Sequence, residues 1–204
     1  MRHPSPGSSV HLTKYIKSIV INAGDGAHEH PTQAILDMMS LKEKFGKIRG
    51  LKIGIIGDIA HSRVARSNIY GLIKMGAEVM VCGSPTLIPI EIISLGVKVS
   101  YNLDEVLDWA DAINVLRIQL ERMNRGLFPS VREYRKLFGI TDERLQKHNK
   151  EIVVLHPGPM NRGVEIDSSV ADSKSAIILD QVLNGVASRM AILYLFLGGS
   201  HNES

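Results

Sequence analysis

Short apolar runs alternate with amphipathic segments along most of the chain, and glycines separate many of them. Five runs, several rich in β-branched residues, predict strands at 52–56, 78–82, 97–101, 112–116 and 151–155. The spacing of apolar residues predicts helices at 34–45, 62–75, 89–95, 103–109 and 141–147 and a long closing helix at 177–197. Alternating strands and helices predict an α/β fold, a doubly wound and mostly parallel sheet with helices on both faces.

The two remaining regions are less regular. Residues 1–9 carry two prolines, a glycine and three serines, which predicts a loop; 10–17 predicts a short helix and 18–21 a short buried strand. The stretch from 117 to about 150 predicts mostly loop around the helix that begins near Thr141. Ligands of doubly wound sheets bind beyond the carboxyl ends of the strands, so the turns at 22–33, 57–63, 116–119 and 156–163 are expected to share one crevice.

Composition narrows the classes of function. The chain has 204 residues, of which 44% are hydrophobic and 22% charged, which is ordinary for a globular protein. The net charge of +3 suits small anionic substrates, and the absence of a dense Lys/Arg run argues against nucleic acid. A single cysteine, Cys82, excludes an internal disulfide and a thiolate metal cluster. With no recognisable membrane span or signal sequence, we expect a cytoplasmic protein.

The segment 22–33 carries the most specific chemistry in the chain. It reads Asn-Ala-Gly-Asp-Gly-Ala-His-Glu-His-Pro-Thr-Gln. Gly24 and Gly26 permit a sharp turn, and a helix that begins near Pro31 directs free N–H groups and its positive dipole end toward one point. His30 and Gln33 are three residues apart, so both side chains can reach that point. The pattern predicts a site for an anion with an amide-like group; the alternative is a β–α turn with a polar cap.

Two further turns carry arginines. Arg63 lies in the first turn of a predicted helix, where a cation opposes the helix dipole, and its fork suits a carboxylate. The alternative is a solvent-facing arginine. Arg117 and Gln119 alternate onto one side of an extended segment and could bind a second carboxylate. The alternative there is a loop salt bridge from Arg117 to Glu121. The turn at 57–63 lacks Gly-x-Gly-x-x-Gly, which disfavours a nicotinamide-dependent dehydrogenase.

The turn at 156–163 reads His-Pro-Gly-Pro-Met-Asn-Arg-Gly. Its prolines have carbonyl groups but no N–H, so the turn offers hydrogen-bond acceptors to an NH₂ group. Gly158 permits close approach of a ligand, and a cis peptide before Pro159 is expected. The alternative is a purely structural turn.

Taken in order, Gly24-Asp25-Gly26 with His30-Pro31-Thr32-Gln33, Gly57-Asp58 with Ser62-Arg63, Leu116 to Gln119, and His156 to Arg162 resemble the aspartate/ornithine carbamoyltransferase family. The last motif favours the aspartate branch, because the ornithine enzymes have His-Cys-Leu-Pro there. The resemblance implies that Arg2 and His30 bind the carbonyl oxygen of carbamoyl phosphate and that Gln33 and the carbonyls of Gly158 and Pro159 bind its NH₂ group. Arg63, Arg117 and Gln119 would bind the two carboxylates of L-aspartate.

The resemblance also implies the reaction and the organisation of the chain. The family forms N-carbamoyl-L-aspartate and phosphate for pyrimidine biosynthesis, without a metal or cofactor, in homotrimers that can associate with a dihydroorotase or a regulatory chain. Residues 1–40 would be a remnant of the carbamoyl-phosphate domain, 41–176 the aspartate-binding domain, and 177–204 the closing helix and tail. The Ser-Thr-Arg-Thr-Arg phosphate loop and the Ser/Lys loop lent by a neighbouring subunit do not occur here.

We therefore expect either a shortened chain or a natural short homologue, with weak activity by itself. The alternative function is an inactive half-enzyme that binds a dicarboxylate or serves as a structural subunit. In the closing helix, Ile178, Val182, Val186, Met190, Ala191 and Tyr194 form one apolar stripe, and the residues at 192–197 add apolar side chains around its end. In the family this helix packs on the carbamoyl-phosphate domain, so we expect an exposed apolar patch here.

Overall fold

A computed structural model describes residues 1–119, 130–148 and 150–198. Its centre is a five-stranded parallel sheet with the strand order β3-β2-β1-β4-β5. The strands are β1 (Lys52–Ile56), β2 (Glu78–Cys82), β3 (Lys98–Ser100), β4 (Ala112–Val115) and β5 (Val153–Leu155). The predicted α/β class is confirmed, and so are all five strands between 52 and 155, some with shorter ends.

Helices connect and flank the strands. In chain order they are α1 (Ser8–Leu12), α2 (Pro31–Phe45), α3 (Arg63–Lys74), α4 (Leu103–Trp109), α5 (Val131–Phe138), α6 (Asp142–Gln146), α7 (Ser168–Ala171) and α8 (Ile178–Leu197). Two 3-10 helices, Pro85–Leu87 and Ile90–Leu95, precede β3. Helix α2 ends at Gly46 in the left-handed conformation, with φ 74°, and α3 begins after Ser62, whose hydroxyl accepts a hydrogen bond from the N–H of Ala65.

The sheet is buried on both faces, as parallel sheets require. Alternate residues of β1 and β2, such as Ile53 and Val79, pack with α2 and α3 in one apolar cluster. Their neighbours, such as Ile56 and Met80, pack with α4 and α5 in a second cluster. The helices on both faces thereby fix the carboxyl ends of β1, β4 and β5 along one edge of the sheet.

Two predictions before β1 differ from the structure. The predicted strand at 18–21 is wrong: these residues are not in a strand, and Ile19 is 54% exposed. The backbone around this segment bonds instead to the beginning of the chain, with the N–H of Ala23 donating to the carbonyl of Met1. The helix expected at 10–17 is shorter and earlier, Ser8–Leu12.

The region from 117 to 150 is more helical than predicted. The N–H of Glu133 donates to the Ser130 side chain at the start of α5, and Tyr134 and Phe138, four residues apart, bury one face of this helix. The sequence before Ser130 has the composition of a loop, so the short apolar spacing of Tyr134 and Phe138 did not predict a helix. The helix predicted from Thr141 is confirmed as α6, with the Thr141 hydroxyl as its cap. Glu121, the alternative partner of Arg117, lies outside the described residues.

The closing helix is confirmed, and its apolar stripe is exposed as expected, except at Ile178. Apart from Ile178, the buried face of α8, which packs against α2, is polar or small and consists of Gln181, Asn184, Gly185 and Ser188. The apolar stripe of a helix is often buried against a sheet, but the sheet does not bury this one beyond Ile178. Across the described ranges, no helix combines the length and apolarity that crossing a membrane demands.

Candidate active site

The first residues of the chain are bound to the turn at 22–26. The N–H of His3 donates to the carbonyl of Gly24 at 3.1 Å, and the N–H of Gly26 donates to the carbonyl of His3 at 2.9 Å. Asp25 secures this arrangement because its buried carboxylate accepts the N–H of Gly7 at 2.8 Å. Burial by itself raises the pKa of Asp25. Hydrogen bonds from Asn22, His28, Gly7 and Glu29 lower it by more, so the pKa of Asp25 lies below its usual value. These hydrogen bonds hold the first residues of the chain, and with them Arg2, beside α2.

Gly24 gives the guanidinium of Arg63 its place. The backbone of Gly24 has φ +117°, and a Cβ there would lie 2.9 Å from both Cζ and Nε of Arg63. Arg63 Nη1 donates to the carbonyl of Gly26 at 3.3 Å. The side chain of Arg63, the first residue of α3, thereby extends across the beginning of α2. Any side chain at position 24 would displace its guanidinium.

His30 immediately precedes α2, and its N–H donates to Ser67 Oγ at 2.8 Å. Burial, followed by the positive charges of Arg63, Arg189 and Arg2, lowers the pKa of its imidazole from 6.5 to about 4. His30 is therefore neutral at pH 7 and can donate one hydrogen bond without carrying a charge.

This pKa provides a direct test of the site. We expect the pKa of His30 to rise in an Arg189→Gln variant, because one of the cations that oppose protonation is removed. NMR titration of the imidazole resonances measures it. Arg162→Gln, which removes a cation paired with Asp172 at the surface, is the matched control and leaves the pKa of His30 unchanged. An unchanged value in Arg189→Gln would contradict the assigned electrostatics.

The linked effect on stability has a definite sign. Because the pKa of His30 is lower in the folded chain, the unfolded chain binds more protons between pH 6.5 and about 4. The contribution of His30 to the free energy of unfolding therefore falls as the pH is lowered through this window.

The segment after β4 carries Arg117 and Gln119 on one side, and Ile118 between them is buried. Asn161 Nδ2 donates to the carbonyl of Ile118 at 2.8 Å and to Glu165 Oε2 at 3.1 Å. The side chain of Asn161 therefore connects the arginine-bearing segment to the turn that follows β5.

Between positions 157 and 159, that turn presents carbonyl acceptors to the cleft and no free N–H donor. Pro157 and Pro159 lack N–H groups, and the N–H of Gly158 donates to His156 Nδ1 at 2.9 Å. The Gly158–Pro159 peptide is cis, as the sequence predicted, and the φ of Gly158 is +63°. His156 itself is fully buried, with Nε2 3.3 Å from Glu165 Oε1.

These segments surround one cleft of about 400 Å³. The eight residues singled out from the sequence all line it: Arg2, His30, Gln33, Arg63, Arg117, Gln119, Gly158 and Pro159. Their roles toward a ligand remain predictions.

Sequence reasoning missed two features of this cleft. Arg189 lines it from α8, where Nη1 donates to the carbonyl of Gly185 at 2.8 Å. Arg189 is the single Lys or Arg in the sequence of α8, and this was the signal that could have revealed it. His61 also lines the cleft, and its Nδ1 lies 2.9 Å from Oδ1 of the buried Asp58. The fold and the cleft define an α/β protein with an arginine-rich cleft at the carboxyl ends of its parallel strands.

Comparison with known proteins agrees with this class. The model of the aspartate/ornithine carbamoyltransferase Asp/Orn binding domain matches residues 49–196, and that of the carbamoyl-P binding domain matches residues 1–43. The chain belongs to the aspartate/ornithine carbamoyltransferase family.

Two catalytic subunits of aspartate carbamoyltransferase are close relatives. The one from Desulforamulus reducens is 58% identical over 99% of this chain, and the one from Moorella thermoacetica is 60% identical over 98%. The chain spans 65% and 66% of their lengths. Aspartate transcarbamoylase from Trypanosoma cruzi in complex with N-(phosphonacetyl)-L-aspartic acid has a similar structure, with a TM-score of 0.81 and 29% identity over 95% of this chain and 64% of that one.

Proposed function

We propose that the cleft takes part in carbamoyl transfer from carbamoyl phosphate to L-aspartate, giving N-carbamoyl-L-aspartate and phosphate. The observation that carries the proposal is the convergence of Arg2, Arg63, Arg117 and Arg189 on one cleft. A neutral His30 and the segment 157–159, whose backbone has no free N–H, lie in the same cleft. Both substrates are anions, and one of them carries an NH₂ group.

Each group of the cleft has a chemical role in this proposal. Arg2 and the imidazole N–H of His30 donate to the carbonyl oxygen of carbamoyl phosphate, where negative charge develops. The carbonyls of Gly158 and Pro159 accept from its NH₂ group, as does Gln33. Arg63, Arg117 and Gln119 bind the carboxylates of L-aspartate, with the arginines as bidentate partners.

The proposed reaction has two bond changes. The amine nitrogen of L-aspartate attacks the carbamoyl carbon and forms a C–N bond, which gives a tetrahedral oxyanion facing Arg2 and His30. The C–O bond to phosphate then breaks, and the departing phosphate accepts the amine proton. Catalysis of this kind depends on orientation and on charges that are already in place.

The setting follows from the same proposal. The product would enter pyrimidine biosynthesis in the cytoplasm. By analogy with the family, the active oligomer would be a homotrimer. The same analogy names a dihydroorotase or a regulatory chain as a further partner. The D. reducens and M. thermoacetica relatives are named catalytic subunits, which supports association with other chains.

A second candidate is a catalytically inactive half-enzyme that binds a dicarboxylate. The observation that favours it is that the chain spans 65% of the length of two of its relatives. Colorimetric assay of N-carbamoyl-L-aspartate distinguishes the two functions, because only the transferase accumulates this product from carbamoyl phosphate and L-aspartate.

The dicarboxylate site can be tested without turnover. We expect succinate to bind in the millimolar range, about −4 kcal/mol, and Arg117→Ala to abolish this binding because a carboxylate in the cleft loses its bidentate partner. NMR titration measures both. Arg162→Ala, at the surface ion pair with Asp172, is the control and keeps wild-type binding. An identical succinate titration in Arg117→Ala would place the site elsewhere.

A further inference from the structure

A completely buried carboxylate lies directly behind the cleft. Asp37, one turn along α2 from Gln33, is 1% exposed and accepts hydrogen bonds from four side-chain amides. Its Oδ1 accepts Gln33 Nε2 at 3.0 Å and Gln181 Nε2 at 2.7 Å. Its Oδ2 accepts Asn68 Nδ2 at 2.7 Å and Asn114 Nδ2 at 3.2 Å. Burial raises the pKa of Asp37, and the four N–H donors oppose that rise.

These contacts decide which end of the Gln33 amide faces the cleft. A carboxylate can only accept hydrogen bonds, so the NH₂ end of Gln33 turns toward Asp37. The oxygen Oε1 is then the end of the amide that remains for a ligand, since Gln33 lines the cleft. An oxygen at that position accepts from an NH₂ group and is repelled by a ligand carbonyl.

We propose that Asp37 is a positioning residue that fixes the Gln33 amide with its oxygen toward the cleft and so selects ligands with a carbamoyl NH₂ group. This inference rests on the proposed function for the class of ligand, while the orientation of Gln33 rests on the geometry alone. Asp37 does not line the cleft and acts through Gln33.

The other three amides connect Asp37 to the remaining walls of the cleft. Asn68 belongs to α3, which begins with Arg63, and Asn114 belongs to β4, which leads to Arg117. Gln181 of α8 accepts the N–H of His156 on its Oε1 at 2.9 Å. One carboxylate therefore holds the elements that carry the arginines and the acceptor turn in a fixed relation to Gln33.

Two ligands that differ in one group test the selection. N-carbamoyl-L-aspartate and N-acetyl-L-aspartate have the same carboxylates, but the second has a methyl group in place of NH₂. We expect the wild-type chain to bind the carbamoyl compound about tenfold more tightly, the effect of one hydrogen bond of about 1.4 kcal/mol. In Asp37→Leu, which removes the acceptor at similar volume, the amide can turn and the ratio falls to about one.

Two variants serve as matched comparisons. Asp37→Asn is expected to restore the preference. Its oxygen can still accept from Gln33, and Asn68 Oδ1 and Asn114 Oδ1, buried with no hydrogen-bond partner in the described part of the chain, can turn toward the new NH₂ group. Asn184→Ala removes a buried amide of the same helix pair that donates to Ser40 and Glu43, and it keeps the tenfold ratio.

A measurement without ligand separates the inference from the proposed function. Hydrogen exchange of the Gln33 side-chain NH₂ is expected to be much slower than that of the exposed Gln146, because it is bonded to a buried carboxylate. Equal exchange rates at Gln33 and Gln146 would overturn the proposed orientation. Because this measurement uses the wild-type chain, it decides the question even where Asp37→Leu fails to fold. Wild-type chain that binds neither compound, yet protects the Gln33 NH₂, contradicts the proposed function and supports the orientation. A folded Asp37→Leu variant with the wild-type ratio overturns the role of Asp37.

Discussion

A polypeptide of these 204 residues is expected to form N-carbamoyl-L-aspartate at least about a thousandfold more slowly than a full-length relative, although it folds. The printed sequence has no Ser-Thr-Arg-Thr-Arg phosphate loop and no Ser/Lys loop of the kind that the family resemblance implies. Each charge-assisted hydrogen bond contributes about 1.5–3 kcal/mol, so losing three or more lowers the rate by about 10³-fold or more. Arg2 and His30 alone do not replace them.

The measurement is a colorimetric assay with the D. reducens catalytic subunit, 58% identical over this chain, as the active reference. Circular dichroism and cooperative unfolding establish that the 204-residue polypeptide is folded when it is assayed. Succinate binding to the same sample shows that the arginines of the cleft are in place. Turnover within tenfold of the reference would mean that the missing phosphate contacts are not needed for the rate, and the expected loss of activity would be wrong.

The sheet and the cleft were predictable from the sequence for a local reason. Strands such as 52–56 and 78–82 are short, mostly apolar runs that contain several β-branched residues, and glycines or caps mark the helix ends at Gly46 and Ser62. In a parallel sheet, the residues that follow each strand meet at one edge. The pattern therefore brings Arg63, Arg117 and the 156–159 turn together without any knowledge of packing.

What the sequence did not reveal depends on contacts between distant residues. Residues 18–21 have strand composition, but the backbone next to them bonds to the first residues of the chain and not to the sheet. Asp37 resembles any polar residue of an amphipathic helix until Gln181, 144 positions away, is seen to donate to it. Arg189 lines the cleft because the polar side of α8 packs inward, against α2. Hydrophobic periodicity by itself predicts the opposite, that the apolar side of the helix is buried.

The orientation of α8 leads to the second large effect, self-association of the 204-residue polypeptide. The polar and small residues of this helix are fixed against α2, since Asn184 donates to Ser40 at 3.0 Å and Gln181 to Asp37. The apolar residues must then face outward, and Leu179 is 84% exposed and Leu195 77%. The outward apolar residues of α8 are Leu179, Val182, Leu183, Val186, Met190, Leu193, Tyr194, Leu195, Phe196 and Leu197.

An apolar surface of this kind is removed from water when a second chain covers it. We expect sedimentation of the 204-residue polypeptide to show dimers or larger species in a concentration-dependent equilibrium. The double variant Leu195→Glu with Phe196→Lys places two charges on the surface and shifts this equilibrium toward monomer. Its control is Ile90→Glu with Ile93→Lys, which changes two exposed apolar residues of the 3-10 helix before β3 and keeps the wild-type association. If all three polypeptides sediment as monomers while α8 stays protected from hydrogen exchange, the exposed face does not drive association.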